Sequence, residues 1–255
     1  MSDRIGREYY DSTDYFEGGS AAHIADLDSP FQRYRVRKVL EIHPPLATDR
    51  VVDLGCGWGT FGFALADRVG EVVGVDFSRK SIEICERGLA EWQAARQPDD
   101  AERGPSDRDA TAPNLRFVCA DAGDTGLRGA SFDLVIAADL FEHLYPDDSV
   151  RVAREAYRLL VPGGRFATWT PHRGHVLEVL KNRDVILRRD PTHVDYKSMD
   201  AMKRLLSDAG FAIERAYYAE SHLPLVRVAE RLLQGAVPLL RRRIAVLGRK
   251  PHEST

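Results

Sequence analysis

Two carboxylates and an imidazole stand at Asp139, Glu142 and His143 in DLFEHL, and a second imidazole stands at His193 in RDPTHVDYKS. On a helix, spacings of three and four residues would project the first three side chains from one face. Mixed oxygen and nitrogen donors of this kind suit a divalent ion such as Mg²⁺, so the predicted metal set is Asp139, Glu142, His143 and His193. The same groups also allow metal-free chemistry, with His143 or His193 as a general base and Glu142 beside them. A third reading gives them no chemistry, with the histidine only closing a pocket.

A separate group of residues is suited to binding. VVDLGCGWGT, residues 51 to 60, is an apolar strand ending in an acid and followed by Gly55, Gly57 and Gly59. Glycine permits a tight turn from strand to helix and close approach of a ligand. The loop lacks the Lys-Ser/Thr ending of a phosphate-binding loop and the usual spacing of a dinucleotide fingerprint. The next apolar run ends at Asp76, whose carboxylate can accept from both ribose hydroxyls of a nucleoside lying across the strand ends. A third run leads into Asp121, placed to meet an adenine amino group. A strand-ending acid is often only a helix cap, but three in register with a glycine loop make a cap role for all of them improbable.

The elements that must position these groups alternate. Arg50 to Leu54, Glu71 to Asp76, Leu115 to Cys119, Phe132 to Ala137 and Gly164 to Thr170 have strand character, with helical lengths between them. That rhythm predicts parallel pairing through right-handed crossovers in an α/β, doubly wound sheet covered on both faces. Met199 to Ala209 reads as a helix stopped by Gly210, and Phe211 to Tyr218 and Arg242 to Leu247 as two further strands. Residues 1 to 42 read as an N-terminal helical lid, with Tyr9, Tyr10, Tyr15 and Phe16 closing over the site or packing on the sheet. Residues 43 to 255 form the main domain, with 97 to 113 a solvated loop insertion and 219 to 240 a helical insertion before the last strand. The helix from Leu223 to Leu233 is expected to cover the final hairpin; with Arg227, Arg231 and the Arg241 to Arg243 run, its other reading is contact with a membrane surface. His172 and His175 are expected in a loop facing the acceptor or the solvent.

Composition narrows the field. The chain has 255 residues, of which 44% are hydrophobic and 29% charged, enough for one sizeable core. Thirty-six Lys and Arg against 39 Asp and Glu give a net charge of −3, which argues against a nucleic-acid partner. Cys56, Cys85 and Cys119 have no metal-type spacing and read as free thiols. With neither a signal-like start nor an apolar run near ~20 residues, the expectation is a cytoplasmic protein without a spanning helix.

Asp53-Leu54-Gly55-Cys56-Gly57-Trp58-Gly59, Asp76, Asp121, FDLVIAADLFEHL and LLVPGGRF together resemble the ordered motifs of class I S-adenosylmethionine (SAM)-dependent methyltransferases, over roughly residues 45 to 170. The resemblance implies a Rossmann-like seven-stranded, mostly parallel sheet with an antiparallel last strand and SAM over the strand ends. Asp53, Gly55, Cys56, Gly57 and Gly59 would then form the cofactor loop, with the glycines making room for the methionine part. Asp76 would hold the ribose, Phe77 would flank adenine, Asp121 and Ala122 would meet its edge, and Ala138 would lie near the sulfonium. The acid-x-x-Glu-His element with a later His is similar to metal-dependent O-methyltransferases of ubiquinone biosynthesis and to small-RNA 2′-O-methyltransferases. Those families usually carry Glu where this chain has Asp139. By this likeness an ion would bind two adjacent acceptor oxygens and lower the pKa of the attacking hydroxyl. The leading expectation is methylation of an oxygen, or less readily a nitrogen, of a small-molecule acceptor. The alternatives are RNA 2′-O-methylation, carbon methylation, and a noncatalytic SAM-binding protein.

Overall fold

The apolar runs pair into one seven-stranded sheet in the computed structural model, which describes residues 4–12, 15, 25–96, 114–181, 183, 190–221 and 224–252. The strands are β1 (Arg50–Leu54), β2 (Glu71–Asp76), β3 (Leu115–Cys119), β4 (Phe132–Ala138), β5 (Leu160–Pro171), β6 (Ala212–Ala219) and β7 (Arg243–Arg249). Their order across the sheet is β3-β2-β1-β4-β5-β7-β6. Strands β1 to β5 are parallel, and β7 is antiparallel to both β5 and β6. The expected Rossmann-like sheet with an antiparallel last strand is therefore present.

Successive residues of the central strands feed opposite faces, as the two-residue period requires. Val52, Val73, Val135 and Phe166 join one core with Val152 and Ala156 of α5 (Pro146–Leu159) and Met202 and Leu206 of α7 (Met199–Asp208). Val51, Val72, Leu134 and Trp169 join the other, with Val39 of α2 (Pro30–Leu40) and Phe61 and Leu65 of α3 (Thr60–Leu65). Helix α4 (Arg79–Ala94) lies against β3, where Ile82 and Cys85 pack with Cys56 and Phe117. Serines cap three helix starts by accepting backbone N–H groups: Ser29 from Gln32, Ser78 from Ser81 and Ser198 from Ala201, all at 3.2 Å. Gly210, at φ +103°, ends α7 as its sequence suggested.

Three expectations change. Strand β5 begins at Leu160, four residues before Gly164, because Leu160 pairs with Phe132 and the register then shifts before Arg165 meets Leu134. Helix α8 (Pro224–Leu233) occupies the predicted insertion between β6 and β7, yet it does not cover the hairpin with its apolar side. Glu230 is its fully buried residue, while Val228 and Leu232 are 55% and 76% exposed. Buried His175, whose Nε2 lies 3.3 Å from Glu230 Oε1, and the Ser221 N–H, which donates to Glu230 Oε2, hold the acid inward, with half-buried Arg242 at 4.0 Å. His172 and His175 are accordingly buried rather than facing solvent, with His172 Nδ1 3.0 Å from the carbonyl oxygen of Arg241. The predicted insertion at 97 to 113, Phe16 and Leu223 lie outside the described residues. Among the described residues no helix is long and apolar enough to cross a membrane.

Candidate active site

At the end of β1 the chain turns through three left-handed glycines, Gly55, Gly57 and Gly59, with φ of +73°, +55° and +76°. Backbone N–H groups of Gly55 and Cys56 donate to the Val75 carbonyl at 2.8 and 3.0 Å, which ties the turn to β2. The glycines have different jobs. A Cβ at Gly55 would meet Leu140 at 2.9 Å, and one at Gly59 would meet Phe117 and Phe63 at 2.9 Å, so both serve packing. A Cβ at Gly57 would meet nothing within 4 Å, so this residue borders open space. Asp76 stands beside it, accepting the Gly57 N–H at 3.0 Å on one carboxylate oxygen and the Ser78 N–H at 2.9 Å on the other. Burial raises its pKa, against the pull of those two N–H groups.

Under the loop lies Asp53, 1% exposed, with Oδ2 lacking any hydrogen-bond partner among the described residues. Burial pushes its carboxyl up to about 7; Arg35 works against that and Asp76 adds to it. An orphaned acceptor beneath an open glycine bend fits a ligand that brings a cation or an N–H donor. Cys56 is buried below the same turn, so its side chain supports the loop rather than lining its mouth. Phe77 meets Tyr10 of α1 (Arg7–Asp11) edge to face, ring centroids 5.1 Å apart, and Asp11 accepts from the Ser78 hydroxyl at 2.7 Å. Tyr10 thus packs over the tip of β2, with the Tyr9 and Tyr15 rings against its own. Asp121 is exposed at the tip of β3, bonded to Arg151 at 2.7 Å, with half-buried Ala122 beside it. Ala138 is buried at the tip of β4 and accepts from Arg35 at 2.9 Å.

Beyond β4 the structure departs from the predicted helical face. The Asp139 N–H donates to the Trp169 carbonyl at 2.7 Å, prolonging the sheet, and Asp139 itself takes a left-handed φ of +56°. Only a 3₁₀ turn follows, Phe141–His143. Asp139 is consequently not brought to the other predicted metal ligands. It pairs with Arg35 at 2.7 Å and with Arg243. Burial opposes its charge, and Arg243 and then Arg35 overcome that and hold the carboxyl below the usual range.

Glu142, His143 and His193 do converge, one ligand atom of each lying within 4.8 Å of the others. The backbone explains how a residue fifty positions downstream arrives: the Glu142 carbonyl accepts from Val194 N–H at 2.9 Å and Asp195 N–H at 3.2 Å. Buried Glu142 also accepts from the Thr170 hydroxyl at 2.9 Å. Burial, with Asp139 adding to it, pushes its carboxyl up to about 8. The rings of His143 and His193 stand edge to face at 4.7 Å.

Sequence reasoning missed the residues that hold this group. His193 Nδ1 lies 2.7 Å from the Tyr196 hydroxyl, which donates to Glu178 of α6 (Val176–Lys181) at 3.0 Å. With its own proton given to Glu178, the tyrosine oxygen is free to accept Nδ1–H in the tautomer that places the lone pair on His193 Nε2. Asp190, also missed, puts Oδ2 3.7 Å from that Nε2. Tyr196 follows His193 by three positions and was visible in the same motif, whereas nothing local marks Arg35, Glu178 or Arg243.

Residues 52–168 match a family model described as a methyltransferase domain. Over those residues the chain is a methyltransferase domain. A ubiquinone biosynthesis O-methyltransferase of Ralstonia nicotianae is 31% identical over 129 residues, covering 51% of this chain and 46% of that protein. Aklanonic acid methyltransferase DauC of a Streptomyces species is 28% identical over 138 residues, covering 53% and 54%. The chain thus aligns with about half the length of these relatives. The fold of the methyltransferase domain is shared with an S-adenosylmethionine dependent methyltransferase from Mesorhizobium loti at 21% identity, TM-score 0.58, covering 87% of this chain and 98% of that one. The PH0226 protein of Pyrococcus horikoshii aligns at 21% identity, TM-score 0.63, covering 94% and 99%. In this methyltransferase domain the glycine bend, Asp53 and Asp76 lie at the ends of β1 and β2, and the Glu142, His143 and His193 group lies just beyond the end of the neighbouring β4.

Proposed function

We propose that this protein transfers the methyl group of S-adenosylmethionine to an oxygen of a small-molecule acceptor. The carrying observation is the placement of two complementary groups at the carboxyl ends of adjacent strands: a glycine bend with buried acids after β1 and β2, and three converging side chains after β4. SAM, when bound, supplies an electrophilic methyl on a sulfonium. Gly57 leaves room for it, Asp76 offers acceptors to ribose hydroxyls, and Asp53 offers its orphaned oxygen to a cationic or N–H group. In-line displacement requires alignment of the acceptor and, for a hydroxyl, removal of its proton.

The lone pair on His193 Nε2 is the atom that meets this need, in either of two ways. It would receive the acceptor proton directly, or it would join Glu142 and His143 in holding a divalent cation, which would supply Lewis acidity toward the acceptor hydroxyl. The donor set fits such a cation: two imidazoles and one carboxylate, the carboxylate being one whose burial makes it short of a positive partner. The O-methyltransferase name of the Ralstonia relative supports an oxygen acceptor, and the aklanonic acid of the Streptomyces relative's name supports one of small size. The test is incubation with methyl-labelled SAM and fractionated metabolites or RNA, with and without chelator. Label entering a small molecule is expected. Label entering only RNA, or no transfer from a donor that binds, refutes the reading, and activity unchanged by chelation with no metal recovered leaves the histidine as base.

A further inference from the structure

Helix α8 has its polarity inverted relative to the protein beneath it. Its buried residue is Glu230, whereas Val226, Val228, Leu232 and Leu233 are exposed, and the apolar surface continues through Val237 and Leu239 in the turn that follows. On a helical projection Val228 and Leu232 stand opposite Glu230, flanked by Ala229 and by exposed Arg231, while exposed Leu233 and half-buried Arg227 lie on the two sides nearer the acid. From residue 224 to 240 the only acid is Glu230, and it is buried, 3.3 Å from His175 Nε2 and accepting from the Ser221 N–H. Among the described side chains, the outward surface of this segment therefore carries aliphatic groups and the positive charge of Arg231, with half-buried Arg227 one turn away and no negative charge. Scattered exposed leucines need no explanation, but a stripe with a cationic border facing away from its own core does.

We infer that α8 and the turn Pro238–Leu240 form an in-plane docking surface for an anionic lipid membrane. The aliphatic stripe enters the acyl boundary, and Arg227 and Arg231 remain at headgroup level, where acidic lipids complement them. Charge selects this occupant over a second copy of the chain: a self-complementary interface would set these arginines against each other, and the segment offers no exposed acid to receive them. The buried Glu230 contacts fix which way the helix faces, so the stripe is presented ready-made. Arg243, which begins β7 after this segment, pairs with Asp139 at the tip of β4, so the docking element adjoins the candidate site.

The experiment is flotation of the whole purified protein with vesicles of phosphatidylcholine alone or mixed equally with phosphatidylglycerol. Recovery with the anionic vesicles only, reduced by salt, is expected. The double change Arg227→Gln with Arg231→Gln should weaken binding about 30-fold, at about five-fold per charge, and Leu232→Ser by about ten-fold or more. A Leu232→Trp variant should shift its emission to the blue on anionic vesicles, while SAM titration of each variant reports that it remains folded. Absence of both flotation and emission shift refutes the inference. So does a dimer in sedimentation equilibrium that Leu232→Glu dissociates without any vesicle binding. Vesicle binding is read without turnover, so its failure is separate from any failure of the methyl-transfer reading.

Discussion

Replacing Asp53 with asparagine should make the ligand-free protein more stable while weakening its hold on the donor. In the folded chain the carboxyl is buried, one oxygen has no hydrogen-bond partner among the described residues, and its pKa moves from 3.8 to about 7. A raised folded pKa means that the folded state binds the proton more tightly than the unfolded chain. Stability from this group is thus present in full at low pH and is lost as pH rises from about 3.8 to about 7. At roughly 1.4 kcal/mol per pH unit the loss totals about 4 kcal/mol. Asparagine is nearly isosteric with aspartate and cannot ionise, so the stability of D53N relative to wild type should climb by up to about that amount between pH 4 and pH 8. Urea denaturation at half-unit pH intervals gives both curves, and their difference isolates residue 53 from every other titrating group. Calorimetric titration with SAM at pH 8 supplies the other half: D53N should bind at least about ten-fold more weakly, having lost the charge that a cationic ligand neutralises. Parallel stability curves for the two proteins would show that Asp53 is not a desolvated acid. Unchanged donor affinity would remove it from the cofactor site.

Gly57→Ala should cost only about 1 kcal/mol in stability, for a left-handed alanine in open space, yet reduce donor affinity sharply. Gly59→Ala, with its new Cβ against Phe117 and Phe63, should cost about 2 to 4 kcal/mol in thermal or urea unfolding. Tyr196→Phe removes the acceptor for His193 Nδ1–H; kcat should fall about ten-fold with KM for SAM unchanged, and a parallel loss of donor affinity would reveal a merely structural role. Asp139→Asn strips the counter-charge from half-buried Arg243 and Arg35 while keeping a side chain that tolerates the left-handed backbone, so urea unfolding should show a loss of about 2 to 3 kcal/mol; stability within 0.5 kcal/mol or so of wild type would refute the ionic account.

How much of this was legible depended on the range over which each feature is decided. β-Branched runs between polar helical segments announce parallel strands, and a glycine bend after an acid announces its own turn, so β1, β2 and the loop joining β1 to α3 follow from adjacent residues. The spacing of Asp139, Glu142 and His143 could not reveal that the Asp139 amide is held by Trp169 across the sheet, which keeps Asp139 out of the 3₁₀ turn that carries Glu142 and His143. Glu142 and His193 were found as types, but what unites them is a carbonyl accepting two distant N–H groups, which no side-chain pattern records.

Helix α8 makes the same point in a form that can be measured. Its periodicity establishes an apolar face, and ordinary burial logic turns that face inward. A single internal acid reverses the outcome, because Glu230 meets buried His175 and accepts from the Ser221 N–H, and it cannot be turned outward without stripping both of that partner. Orientation is then set by the acid rather than by the leucines. A Glu230→Leu change should therefore weaken vesicle binding although it adds hydrophobicity, because it releases the helix to roll its aliphatic side onto the protein. Stronger binding by that variant would mean that hydrophobicity alone, and not the buried ionic contact, governs how the helix is presented.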